Sequence, residues 1–233
     1  MITNQLDKDS VKHRVLEIRK KLAYAAAKSN RNVNEISLMA VTKNVSADLV
    51  NVAIESGIRL LGENRAQELN SKYDYYERDN VDIHFIGHLQ RNKVKTIINK
   101  VDMIESVDSE HLACEIGKQA LKNNKTMPIL LEINIGKQQT KTGFDPDKVL
   151  EAAKAIANMP GVKIRGLMTI PPKENVTYYF EKIKDIYIDI SQEKIDNVSM
   201  DFLSMGMSSD FEKAISFGSN IVRIGSLMFG SRY

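Results

Sequence analysis

Ile36-Ser-Leu-Met-Ala-Val-Thr-Lys43 is followed by Asn44-Val-Ser46 and then by Ala47-Asp-Leu-Val-Asn-Val-Ala-Ile-Glu55. The first run is short, apolar and alternating, which reads as a strand. The second places Val50, Ala53 and Ile54 at three- and four-residue steps, which reads as a helix. Ser46 stands where a helix is capped and Gly57 where one ends. One strand, one tight turn and one amphipathic helix make a unit, and the unit recurs to the end of the chain.

Outward from that unit, strands are expected at Arg59–Leu61, Ile83–Ile86, Met103–Glu105, Ile129–Ile135, Ile164–Met168, Asp201–Leu203 and Ile221–Ile224. Helices are expected near Arg65–Tyr76, Arg91–Asn99, Glu110–Asn123, Asp147–Asn158, Val176–Ile190 and Asp210–Phe217. Ser109 and Asp145 are placed to cap two of them, and Ser209 with Glu212 has the spacing of a capping box. Before the first strand, Val11, Val15, Ile18 and Leu22 mark a helix from about Asp7 to Lys28. About eight strands with intervening helices fit either an open doubly wound sheet or a closed barrel. The count favours the barrel, as does the lack of a Gly-x-Gly-x-x-Gly turn after the first strand. The expected fold is therefore α/β: a single (β/α)8 TIM barrel over residues 1–233, with an extra N-terminal helix.

Composition narrows the function. The chain has 233 residues, 42% of them hydrophobic, and a formal net charge of +3. Its charges alternate in sign and do not gather on one face, so neither nucleic acid nor membrane is an expected partner. Arg14, Arg19, Lys20 and Lys21 read as the wet face of the first helix. No apolar run approaches the roughly 18 residues of a membrane span. The N-terminus lacks an apolar signal core. The single cysteine, Cys114, allows no internal disulfide and fits a reducing, cytoplasmic setting.

Two regions could carry chemistry. Alternation puts Lys43 on the face of Met39 and Val41, so an inward-facing strand places an amine at the barrel mouth, where barrel sites lie. Burial there would lower its pKa and free the amine to attack an aldehyde. The loop Leu203-Ser-Met-Gly-Met-Ser-Ser-Asp210 and the turn Arg223-Ile-Gly-Ser226 follow strands seven and eight, where barrels bind phosphate. Ser204, Gly206, Ser208, Gly225 and Ser226 supply the small residues, N–H groups and hydroxyls that an oxyanion needs. Asp210 sits in the same turn and must point away. An amine across from an anion cup is the layout that pyridoxal 5′-phosphate (PLP) needs.

Other groups are less specific. His84 and His88 lie on a strand end with no fixed geometry, and with Cys114 and His111 remote no metal site is expected. His84 reads as a pocket or core histidine, and Cys114 as buried beside Leu121. Glu63 and Glu68, five apart, read as capping and surface charges. Gly136-Lys-Gln-Gln-Thr-Lys-Thr-Gly143 lacks the Gly-Lys-Ser/Thr ending of a phosphate loop and reads as a mobile loop at the mouth.

Several motifs recur in the order of a known family. They are Met39-Ala-Val-Thr-Lys43, Gly62-Glu-Asn-Arg-Ala-Gln-Glu68, His84-Phe-Ile-Gly-His-Leu-Gln-Arg-Asn-Lys93, Glu105-Ser-Val-Asp108, Gly166-Leu-Met-Thr-Ile-Pro171, Leu203–Asp210 and Val222-Arg-Ile-Gly225. The chain resembles the PLP homeostasis proteins, related in fold to the N-terminal barrel of alanine racemase. The resemblance implies a Schiff base between PLP and Lys43. It implies a phosphate cup of Ser204, Gly206, Ser208, Gly225 and Ser226, an arginine near the pyridine nitrogen at Arg223, and pocket contacts at Asn64 and Met168. This chain departs in having Asn44-Val-Ser46 where members often carry a proline, and Ile83 where an aromatic residue is common.

A cation beside the pyridine nitrogen disfavours its protonation and weakens the ring as an electron sink. Racemases can work without that sink but need a base on each face of the substrate. A racemase of the related family carries a β-domain bringing the second one, a tyrosine, whereas this sequence stops at Tyr233, just past the last expected strand. The expectation is thus a cytoplasmic, monomeric PLP carrier or homeostasis protein without efficient turnover, serving PLP-dependent apo-enzymes. The alternative is a PLP-dependent amino-acid racemase.

Overall fold

In the computed structural model, strand β1 (Ser37–Val41) pairs in parallel with both β2 (Leu60–Glu63) and β8 (Ile221–Ile224). The double pairing closes the sheet into a barrel in the order β1 to β8. The structure describes residues 2–230, with side chains described from residue 8. The remaining strands are β3 (Asp82–Phe85), β4 (Met103–Val107), β5 (Met127–Ile133), β6 (Val162–Thr169) and β7 (Val198–Ser204). Helices α2 (Ala47–Glu55), α3 (Ala66–Lys72), α4 (Val94–Ile97), α5 (Glu110–Lys122), α6 (Val149–Ala157), α7 (Val176–Gln192) and α8 (Phe211–Ser216) alternate with them. The expected (β/α)8 barrel is the fold that forms.

Alternation along the strands divides the core in two. Ala40, Leu61, Phe85, Ile104, Leu131, Leu167, Leu203 and Val222 face outward and pack with the helices in one continuous cluster. Met39, Leu60, Ile86 and Ile221 form one cluster inside the barrel, and Met103, Leu130 and Met168 form another. Strands covered on both sides need apolar residues on both faces, which is why they read as apolar runs. Gly62 illustrates the tight interior: a Cβ there would stand 2.5 Å from Met39 Sδ and 2.9 Å from Ile86 Cδ1.

The extra helix α1 (Ile2–Lys28) buries Val11, Val15, Ile18, Leu22, Ala25 and Ala26. It packs against α2, α8 and the short α9 (Ser226–Phe229), completing the outer ring where α9 alone is too brief. Arg31, just past it, donates to the carbonyls of Ile215 at 3.0 Å and Ser219 at 2.5 Å.

Local expectations held unevenly. Ser109 does cap α5, accepting from the Leu112 N–H. Ser46 occupies the cap position of α2 without a side-chain bond. The helix expected over Arg65–Tyr76 ends at Lys72 and tightens into a 3-10 turn at Tyr73–Tyr75. The change of winding brings Tyr76 inward, where its hydroxyl donates to Glu63. The helix expected over Arg91–Asn99 starts as a 3-10 turn and is α only at Val94–Ile97. The Ser209–Glu212 capping box does not form. Asp210 is the cap residue, and its carboxylate accepts from the Met207 N–H at 2.6 Å.

Candidate functional site

A cavity of about 520 Å³ opens at the carboxyl ends of the strands. Lys43 reaches it from the turn after β1, Asn64 from the turn after β2, and Ser208 from the loop after β7. Arg223 enters from β8 itself, followed by Gly225 and Ser226. Val41, Ile86, Ile170 and Met207 supply the apolar wall, and Ser209 and Lys173 complete the rim. Apolar walls with a few convergent polar groups are the usual build of a small-molecule site, and the volume falls within the common range.

Arg223 is 3% exposed. One guanidinium nitrogen donates to Ser204 Oγ at 2.7 Å and the other to the Thr169 carbonyl at 2.8 Å. Burial lowers its pKa, while Glu105, Glu132 and Asp210 raise it and favour the charged form. The polar chain continues into the barrel. Ser204 donates to Glu105 Oε2 at 2.6 Å, and Glu105 Oε1 lies 2.6 Å from His84 Nδ1. His84 is thus a core histidine bound to a carboxylate, as its position on β3 implied.

Lys43 itself is exposed, so the burial expected to act on its amine is not found. Its neighbours Thr42, Asn44 and Val45 are tied to side chains of α3 and the end of β2, and Asn44 adopts a left-handed φ of 57°. On the opposite rim the backbone N–H groups of Ser208, Ser209 and Gly225 find no acceptor among the described residues. Asn64 Oδ1 is buried and likewise without a partner.

Of the residues expected to form the site, Lys43, Asn64, Ser208, Arg223, Gly225 and Ser226 line this cavity. Ser204, Gly206 and Met168 do not. Ser204 is fully buried at the end of β7, with its hydroxyl committed to Arg223 and Glu105. Gly206 has φ 91°, a left-handed conformation, and a Cβ there would stand 2.5 Å from that of Ala214. It therefore lets the loop pack closely onto α8, and it is not among the residues that line the cavity. Met168 lies in the interior layer with Met103 and Leu130. Asp210 turns into its own loop and does not line the rim, which resolves the charge conflict expected there.

Some surroundings differ from expectation. Glu63 is no surface charge: it is fully buried, accepting from Thr42 Oγ1 at 2.5 Å and Tyr76 at 2.6 Å. Burial pushes its carboxyl up, against the opposing effect of those donors and of Lys72. Cys114 is exposed, because α5 buries Leu112, Ala113, Ile116, Gly117 and Ala120 on a different face. Leu121, its expected neighbour in the core, is 50% exposed. In the loop expected to be mobile, the Asn134 amide donates to the carbonyls of Gln138 and Lys141. His88 stands 3.3 Å from Asp108. Among the described residues no three His, Cys, Asp or Glu side chains come together as metal ligands do.

Two groups escaped the sequence reading. Lys173 brings a second amine to the rim from the loop after β6. Glu132, two residues beyond the interior Leu130 on β5, has its carboxyl pushed up by burial and then by Asp108, with Arg223 countering. Strand alternation from Leu130 is the signal that could have found Glu132; nothing local to the Pro171-Pro-Lys173 segment signals Lys173.

Residues 6–233 match the family model of the alanine racemase N-terminal domain. The chain is 41% identical to the pyridoxal phosphate homeostasis protein of Aquifex aeolicus, over 94% of this chain and 96% of that one. The crystal structure of an unknown protein from Bifidobacterium adolescentis superposes with a TM-score of 0.92 at 30% identity, over 96% of each chain. PipY of Synechococcus elongatus, solved with PLP bound, superposes with a TM-score of 0.82 at 28% identity, over 94% of this chain and all of that one.

Proposed function

The chain belongs to the alanine racemase N-terminal domain family, and on that premise we propose that it binds PLP in the mouth cavity and serves intracellular PLP homeostasis. The observation that carries the reading is the shared cavity: the Lys43 amine and the Ser208, Gly225 and Ser226 rim face one space floored by Arg223.

The residues fit the group. The rim N–H groups without acceptors and the serine hydroxyls are donors arranged as a nest for a phosphate. The unpartnered Asn64 Oδ1 offers a buried acceptor in the wall. When bound, PLP supplies an aldehyde carbon and an electron-withdrawing ring. Lys43 is the amine directed at the aldehyde, and its exposure leaves it open to exchange with amines from outside. Ser204 and the Thr169 carbonyl hold Arg223 in one orientation. A guanidinium is a donor only, so Arg223 presents no carboxylate to hold a proton on a ring nitrogen. That supports binding and release over chemistry that relies on the ring as an electron sink. Residues 1–233 act as one domain in this reading, in the cytoplasm, with PLP-dependent apo-enzymes as recipients.

Mixing the purified protein with PLP and removing the unbound cofactor should leave a visible absorption band with the protein that borohydride removes. Lys43→Ala should lose the band while its Tm stays within about 2 °C, since substitution of an exposed side chain usually costs little. Turnover of L-amino acids at ordinary enzyme rates would overturn the carrier reading, and a band that survives Lys43→Ala would overturn the site.

A further inference from the structure

An exposed lysine on a turn is ordinarily free to wander, yet the backbone on each side of Lys43 is fixed. Lys72 Nζ donates to the carbonyl of Thr42 at 3.0 Å and to that of Val45 at 3.0 Å. Its third hydrogen bond goes to Glu68 Oε1, at 2.7 Å, and the buried Glu63 Oε1 lies 4.0 Å away as an ion-pair partner. An ammonium has three donors, and this one uses them all here. The same Glu68 oxygen accepts the N–H of Asn44 at 2.5 Å. Lys72 and Glu68 are one turn apart on α3, which sets them side by side. Their side chains are only 13% and 17% exposed, so the pair is shielded from the water that weakens surface ion pairs.

We propose that Lys72 and Glu68 are positioning residues that grip the turn from Thr42 to Val45 and hold the Lys43 amine toward the mouth cavity. The proposal rests on the reading of that cavity as a PLP site. In the capture step the neutral Lys43 amine adds to the aldehyde carbon. A carbon–nitrogen double bond forms, and the aldehyde oxygen leaves as water with both amine protons. A turn ordered in advance spares that step the entropy of fixing its backbone. Phosphate binding on the opposite rim does not involve this turn and gains nothing from the grip.

The test compares two ligands on the full-length chain: PLP, and pyridoxine 5′-phosphate, which carries an alcohol in place of the aldehyde and cannot condense. Lys72→Met should weaken PLP binding about tenfold, the equivalent of ordering roughly one backbone residue. It should leave pyridoxine 5′-phosphate affinity unchanged, and Lys72→Arg should recover part of the loss. Where Lys72→Met does not fold, Glu68→Ala carries the same comparison. Equal loss for both ligands would assign the pair a merely structural role and overturn the proposal, as would no loss for either. A wild-type chain that binds pyridoxine 5′-phosphate but captures no PLP would sink the functional reading itself, and the proposal with it.

Discussion

Arg223 brings a positive charge inside a barrel, where an isolated ion would be costly. Its surroundings offset that cost: Ser204 and the Thr169 carbonyl take its N–H groups, and Glu105 lies one hydroxyl further on. Removing one partner of such a buried set leaves the other uncompensated. Arg223→Met should therefore destabilise the fold by about 3–5 kcal/mol, read by denaturant unfolding; a change under about 1 kcal/mol, the usual size of an exposed pair, would show that Glu105 does not depend on it. The arginine was legible as a site residue only through the family resemblance, and the structure places it on β8 at the mouth. The duties of Ser204 and Gly206 were not legible. Sequence position placed both in a loop rich in small residues, but strand parity turns Ser204 inward beneath the cavity, and the contact of Gly206 with Ala214 on α8 is a tertiary fact.

Among the elements, β2 and α3 do more than the periodicity of their residues implied. Glu63 ends β2 fully buried, and burial pushes its carboxyl above the ordinary 4.5. The folded chain then holds that proton more tightly than the unfolded chain. The resulting stabilisation is complete below pH 4.5 and is lost as pH rises through the elevated folded value. Glu63→Gln cannot titrate, so wild-type Tm should fall relative to the variant as pH is raised from 4.5 toward neutrality. A Tm difference independent of pH would contradict the burial argument. Sequence spacing could not reveal this carboxylate, because the five-residue gap between Glu63 and Glu68 spans the end of a strand and the start of a helix. Apolar periodicity located α2, α5 and α7 well, since their buried faces are long enough to register. It overran α3 and α4, where 3-10 turns replace part of the helix.

Across the whole molecule, the eight strands were readable because each is covered by helices outside and side chains inside. The seat of α1 was not readable: its apolar stripe announced a buried face without naming α2 and α8 as the surface that buries it. The barrel brings Lys43 from its first turn and Ser208 and Ser226 from its last turns to one rim, because closure makes β1 and β8 neighbours. That adjacency is the physical basis of the proposed function, and peptide mapping after borohydride reduction of the PLP-loaded protein tests it directly. The reduced pyridoxyl mass should be found on the peptide containing Lys43. Finding it instead on Lys173 or on a lysine outside the cavity, or on no peptide at all, would contradict the account.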